Sequence, residues 1–227
     1  MPEYTMAEPA PKDGPATNPE TTGERRPLII GLAGGIGSGK SAAAACLERL
    51  GCVVSDSDRD ARAALDRQDV RDELVSWWGG GVIDAHGNVD RKAVASIVFE
   101  DLEQRSRLES LVHPIVHEAR LRLIERAARD GAPAVVIDAP LLFEAGIDAE
   151  CDAVIFIDTP RQRRLERLRS RGWDEAELER RERSQWPLDR KRARSTHAVA
   201  NTGAEADLCE ALRRVLDGLL PPGGRHG

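Results

Sequence analysis

Short runs of apolar residues recur along the chain, and each ends where the sequence turns polar. PLIIGLA, at 27–33, runs into a glycine-rich turn. CVVSD follows at 52–56. APAVVIDAP (132–140) and CDAVIFIDTP (151–160) repeat the pattern, each ending in Asp and then a turn containing Pro. None alternates between apolar and polar, as a half-exposed strand would; continuous runs of this length read as strands buried on both faces. THAVAN, at 196–201, is a weaker fifth strand.

Between the first two runs lies GKSAAAACLERLG, alanine-rich and ended by Gly51, which predicts a helix. Strand, crossover helix and strand in this spacing make one right-handed, parallel βαβ unit. The expected fold is therefore α/β, a five-stranded parallel sheet covered by helices. From 57 to about 130 the pattern is helical, broken by the glycine-rich turns of GGGVIDAHGNVD, with Asp90 placed to cap the helix after it. A long amphipathic helix is expected to begin at HPIVHEARLRLIERAARD, with Pro114 in its first turn. A plain crossover needs far fewer residues, so 57–130 is a candidate substrate-binding insertion.

Composition adds limits. Six of the 13 prolines fall in residues 1–27, with few large apolar residues, so this stretch is expected to be a disordered extension. Residues 221–227 read as a flexible tail. The net charge of -6 argues against a nucleic-acid binder. No 18-residue apolar run suggests a membrane span, and no signal peptide is visible. Cys46, Cys52, Cys151 and Cys209 form no CxxC pair. That spacing predicts neither a zinc site nor a disulfide framework, and a cytoplasmic, reducing setting is the expectation. Lysine occurs only at positions 12, 40, 92 and 191, which singles out each one.

The chemistry starts at GGIGSGKS. Gly34, Gly39, Lys40 and Ser41 satisfy G-x-x-x-x-G-K-[ST] between a strand and a helix. Glycines let successive N–H groups converge on phosphate oxygens, here through Gly35, Gly37, Ser38, Gly39 and Ala42. Lys40 reaches the β and γ phosphates and Ser41 ligates Mg2+. The loop implies a nucleoside triphosphate and leaves the acceptor open. The absence of N-K-x-D counts against a GTPase. Asp56 and Asp58 sit just past the second strand, on the sheet edge that carries the phosphate loop. Either serves a hydroxyl or Mg2+, or caps the helix SDRDARAALD. His113 and His117 are an i,i+4 pair without a third metal ligand.

GLAGGIGSGKS, GCVVSDSDRDAR, LVHPIV, DAPLLFEAG and QWPLDRKRA...ANTG, in this order and spacing, resemble the dephospho-coenzyme A kinases from Leu28 to Leu220. The resemblance implies phosphorylation by ATP of the ribose 3'-hydroxyl of dephospho-coenzyme A, the last step of coenzyme A synthesis. It also implies a P-loop kinase core (28–56 and 131–220), a helical substrate-binding insertion (57–130) and a helical lid (160–192), in a monomer or weak homo-oligomer. By the same resemblance Asp58 is the general base and Asp56 its neighbour. Arg91, His113, Pro140, Leu141 and Leu142 face the acceptor, with packing an equal reading for the two leucines. Asp138 holds Mg2+ through water. Arg167 and Arg171 close from the lid, and Asn201 and Gly203 approach adenine. Ala42 stands where a second hydroxyl is common, and RSTHAVA replaces the usual alanine–aspartate step. Two rival readings remain at this point: a kinase of the same fold with another small acceptor, and an ATP-binding switch with negligible turnover.

Overall fold

The computed structural model describes residues 26–221. Five parallel strands form one sheet: β1 (Leu28–Gly34), β2 (Val53–Asp56), β3 (Ala134–Asp138), β4 (Ala153–Asp158) and β5 (His197–Ala200), in the order β2-β3-β1-β4-β5. The order reverses around β1, which places the crevice of a doubly wound sheet at its carboxyl end. Register brings Asp56 of β2 beside Asp138 of β3 there, with Leu32 of β1 on the other side of Asp138.

Two apolar layers hold the sheet. On one face Ile30, Leu32, Val136 and Ile155 pack under α1 (Lys40–Arg49) and α9 (Glu205–Leu219). Helix α9 contributes Leu208, Leu212 and Leu216, a stripe at i,i+4 spacing. On the other face Ile29, Val135, Ile137 and Phe156 meet the end of α5 (Leu102–Arg129) and the segment after β3.

The segment between β2 and β3 contains α2 (Ser57–Leu65), α3 (Gln68–Trp78), α4 (Arg91–Glu100) and α5. It has its own apolar cluster of Val70, Leu74, Val82, Val89 and Val94. Asp90 caps α4, as its position suggested. Helix α5, however, begins at Leu102 under an Asp101 cap, so Pro114 lies in its interior rather than its first turn. Proline leaves the Ser110 carbonyl without its helical N–H, but Ser110 and Pro114 are exposed, so the missing bond falls on the solvent side of the helix. Between β4 and β5 run α6 (Arg161–Arg169), α7 (Glu175–Glu182) and α8 (Leu188–Arg194).

Two expectations change at the margins. Residues 1–25 and 222–227 lie outside the described residues, but Arg26, placed by sequence in the extension, forms an ion pair with Asp152 at 2.7 Å, and Pro27 is buried. Cys46 and Cys209 are disulfide-bonded, with their Cα atoms 5.2 Å apart. Their separation of 163 residues gave no spacing signal; packing of α1 on α9 creates the pair. Cys52 and Cys151 are free thiols.

Candidate active site

The loop after β1 wraps a cleft of about 770 Å³. Gly39 precedes α1 with φ 94°, in the left-handed region that glycine enters freely. A Cβ there would also collide with the Asn201 amide. Gly35, Gly37, Ser38, Gly39, Lys40, Ser41 and Ala42 all line this cleft. The first-turn N–H groups of α1 and its positive end face the same space, an arrangement suited to phosphate.

Acidic groups face Lys40. Asp56 and Asp138 line the cleft from the ends of β2 and β3, and Asp58 from the start of α2. Burial pulls the Lys40 ammonium below its ordinary value, and Asp138 opposes that pull most. Burial pushes the Asp138 carboxyl up, with Lys40 opposing and Asp56 and Asp58 adding to the rise. Ser41 is exposed at the start of α1, so hydroxyl and carboxylate oxygens are the donors at hand. Such a hard oxygen set fits Mg2+ with several retained waters.

The two aspartates divide. Asp56 accepts the Arg59 N–H at 2.9 Å and caps α2. Asp58, in the first turn of α2, is exposed and makes no hydrogen bond or ion pair among the described residues. It lines the phosphate cleft and also a second cleft of about 690 Å³. The second cleft runs between α2, α5 and the segment after β3. Ala61, Leu65, Leu108, Val112 and Val116 supply apolar walls, and Arg62, Arg105, His113 and the buried Arg120 supply polar groups. Pro140, Leu141 and Ser184 also border both clefts.

Arg91 and Leu142 are not brought to either cleft. Arg91 pairs with Asp66 at 3.1 Å on the surface. Leu142 is buried against Gly31, where a Cβ would sit 2.8 Å from its methyl carbon, so packing explains it.

From the other side come Arg167, Arg171, Asn201 and Gly203. Arg167 Nη1 donates to the Ser38 carbonyl at 2.9 Å, and Nη2 to Asn201 Oδ1 at 3.2 Å. Arg171 is exposed and has no ion pair among the described residues. Arg164 is buried beneath the loop, donating to the Ile36 carbonyl at 3.2 Å and pairing with Glu182. Sequence reasoning passed over Arg164, Thr159 and Ser184. Thr159 carried a signal, because a hydroxyl just after a buried strand on the phosphate edge has a reason to bond backbone; its Oγ1 donates to the Ser38 carbonyl at 2.8 Å.

A family model described as dephospho-CoA kinase (CoaE) matches residues 28–207. The chain is 40% identical over 204 residues to the dephospho-CoA kinase of Thermus thermophilus, spanning 89% of this chain and 96% of that protein. It is 37% identical over 191 residues to the dephospho-CoA kinase of Geobacillus kaustophilus, with 83% and 95% covered. Among solved structures, TT1252 from Thermus thermophilus superposes with a TM-score of 0.74 at 39% identity, covering 87% of this chain and all of that one (100%). The dephospho-CoA kinase from Campylobacter jejuni shares the fold, with a TM-score of 0.65 at 22% identity over 85% and 96% of the chains.

Proposed function

The chain belongs to the dephospho-CoA kinase family, and from that premise we propose that it transfers the γ-phosphoryl of ATP to the ribose 3'-hydroxyl of dephospho-coenzyme A, giving coenzyme A and ADP, through the two adjoining clefts. The observation that carries the residue-level reading is the position of Asp58, an exposed carboxylate where the clefts meet, with no hydrogen bond or ion pair among the described residues. A hydroxyl held there lies between a proton acceptor and the phosphate loop.

In this reading ATP occupies the phosphate cleft, with its phosphates on the 35–42 loop and Lys40. Its adenine end lies toward Asn201 and Gly203. Dephospho-coenzyme A enters the second cleft, with apolar surface against α2 and α5 and its diphosphate near Arg62, Arg105 and His113. The segment 57–130 acts as the acceptor-binding unit and 160–192 as the lid. When bound, Mg2+ neutralises the β and γ phosphates; Ser41 would ligate it and Asp138 would hold one of its waters. Asp58 orients the 3'-hydroxyl and takes its proton. Arg167 and Arg171 meet the charge that develops on the equatorial oxygens, for which a planar guanidinium is well shaped. Asp56 holds α2 in place, which aims Asp58.

An ADP-release assay comparing dephospho-coenzyme A with AMP, CMP and uridine tests the acceptor. Strong release with dephospho-coenzyme A alone is expected; release no greater than with buffer would overturn the reading.

A further inference from the structure

Lys191 is buried to 2% exposure, although an ammonium group is costly to remove from water. It sits on α8 and contacts neither cleft directly. Two groups compensate it. Its Nζ lies 2.9 Å from Glu144 Oε1 and donates to Gln185 Oε1 at 3.0 Å. Glu144 Oε1 also accepts the Trp186 N–H at 2.7 Å. The Trp186 ring stacks on Phe143, with centroids 5.9 Å apart and planes 7° apart.

These residues come from two units. Phe143 and Glu144 belong to the segment after β3, whose Pro140 and Leu141 border both clefts; Glu144 itself lines the acceptor cleft. Gln185 lines the phosphate cleft, in the connection from α7 to α8 by which the lid returns to the sheet. Lys191 therefore joins the acceptor side to the exit of the lid.

An apolar pair of similar volume would pack here at no loss of stability, whereas separating the two charges leaves one buried and uncompensated. The pair thus resists separation more than it stabilises. An acceptor pressing on Pro140 and Leu141 would act on Glu144 along the same segment, and through its contacts on Lys191, Gln185 and Trp186.

We propose that Lys191 is a positioning residue that, through Glu144 and Gln185, makes lid closure over ATP depend on an occupied acceptor cleft. This rests on the functional reading above, and it adds a role for three side chains that touch no reacting atom. Without the link the lid closes out of step with the acceptor, and water competes for the phosphoryl group.

The test measures coenzyme A formed per ADP released, kcat, both KM values and the melting temperature. The variants are Lys191→Met, the charge-free pair Glu144→Leu/Lys191→Met, and Gln185→Leu, which keeps the ion pair and disturbs folding least. In each folded variant kcat should fall by roughly 10- to 100-fold, as for reacting groups displaced by a fraction of an ångström. The KM for ATP should move far less, and coenzyme A per ADP should drop below the wild-type ratio. A merely structural role would move the melting temperature and leave that ratio untouched. A wild-type ratio and kcat in Gln185→Leu and in the folded charge-free pair would overturn the proposal. If the wild-type protein forms no coenzyme A, the functional reading itself fails, and the proposal with it.

Discussion

Arg167 and Asn201 converge on one oxygen, the Ser38 carbonyl, at 2.9 and 2.8 Å. Thr159 Oγ1 reaches the same atom at 2.8 Å. A carbonyl oxygen has two lone pairs, so one of the three donors is surplus. Thr159 does not line the cleft; Arg167 and Asn201 both do, and of these two only Arg167 carries the positive charge that a phosphate attracts. When it turns toward a phosphate, Thr159 and Asn201 still satisfy the loop. Arg167→Ala should therefore leave the fold intact and lower kcat by roughly 10²- to 10³-fold, the usual loss for one donor to transition-state charge. Arg167→Lys should recover only part of it, because an ammonium lacks the planar fork. Steady-state kinetics beside a melting curve would check both.

Asp58 and Asp56 should separate in the same assays. Asp58→Asn removes the proposed proton acceptor, which has no hydrogen bond or ion pair among the described residues; turnover should fall by about 10²-fold or more with ATP affinity and melting temperature unchanged. Asp56→Ala removes the α2 cap. It should lower stability by about 1 kcal/mol and reduce turnover less. The opposite order of turnover losses would exchange the two roles.

Lys40 links the site to pH. Burial lowers its pKa, so the ammonium discharges at lower pH than the 10.5 of an ordinary lysine. Affinity for ATP should decline on the alkaline side below that value. Lys40→Arg should flatten this limb, whatever it costs in rate, and Lys40→Ala should weaken ATP binding and turnover together. The unfolded chain binds the proton more readily, so the Lys40 contribution to stability rises with pH up to the unfolded value.

Reduction of the Cys46–Cys209 bond should lower stability by about 2–4 kcal/mol, the range for a cross-link that restrains the unfolded chain. Denaturation with and without dithiothreitol would measure it. A Cys46→Ser/Cys209→Ser variant should match the reduced protein and lose its response to reductant.

The free thiols should stay inert. Burial pushes Cys52 and Cys151 from 9.0 up to about 12. At pH 8 their thiolate population is then on the order of a thousandfold smaller than for an ordinary thiol. Alkylation followed by peptide mapping should mark neither residue until the protein unfolds, and labelling should speed up as pH rises.

The sheet was legible in the sequence because its strands are buried on both faces, which leaves unbroken apolar runs. The phosphate loop was legible because glycine, lysine and serine at set spacing answer a local demand. Pro114 misled because a proline inside a long helix resembles one at its start when the exposed side can be hydrated. Arg91 and Leu142 carry no local mark of which way they face; one met Asp66 on the surface and the other met Gly31 in the core. The Ser38 carbonyl cluster and the Lys191–Glu144 pair are products of tertiary contact. Sequence could flag only that lysine is rare here.

The Cys46–Cys209 bond also changes the connectivity of the molecule. It closes the chain between the two cysteines into a covalent ring that contains β2 to β5, the helices α2 and α5 that wall the second cleft, and the 160–192 segment. A pull applied to the two termini passes across the sulfur bridge and bypasses the ring, so the second cleft and the 160–192 segment lie off the line of force. A single cut within 160–192 would open the ring without releasing a fragment. Reduction returns β2 to β5 to the path of tension.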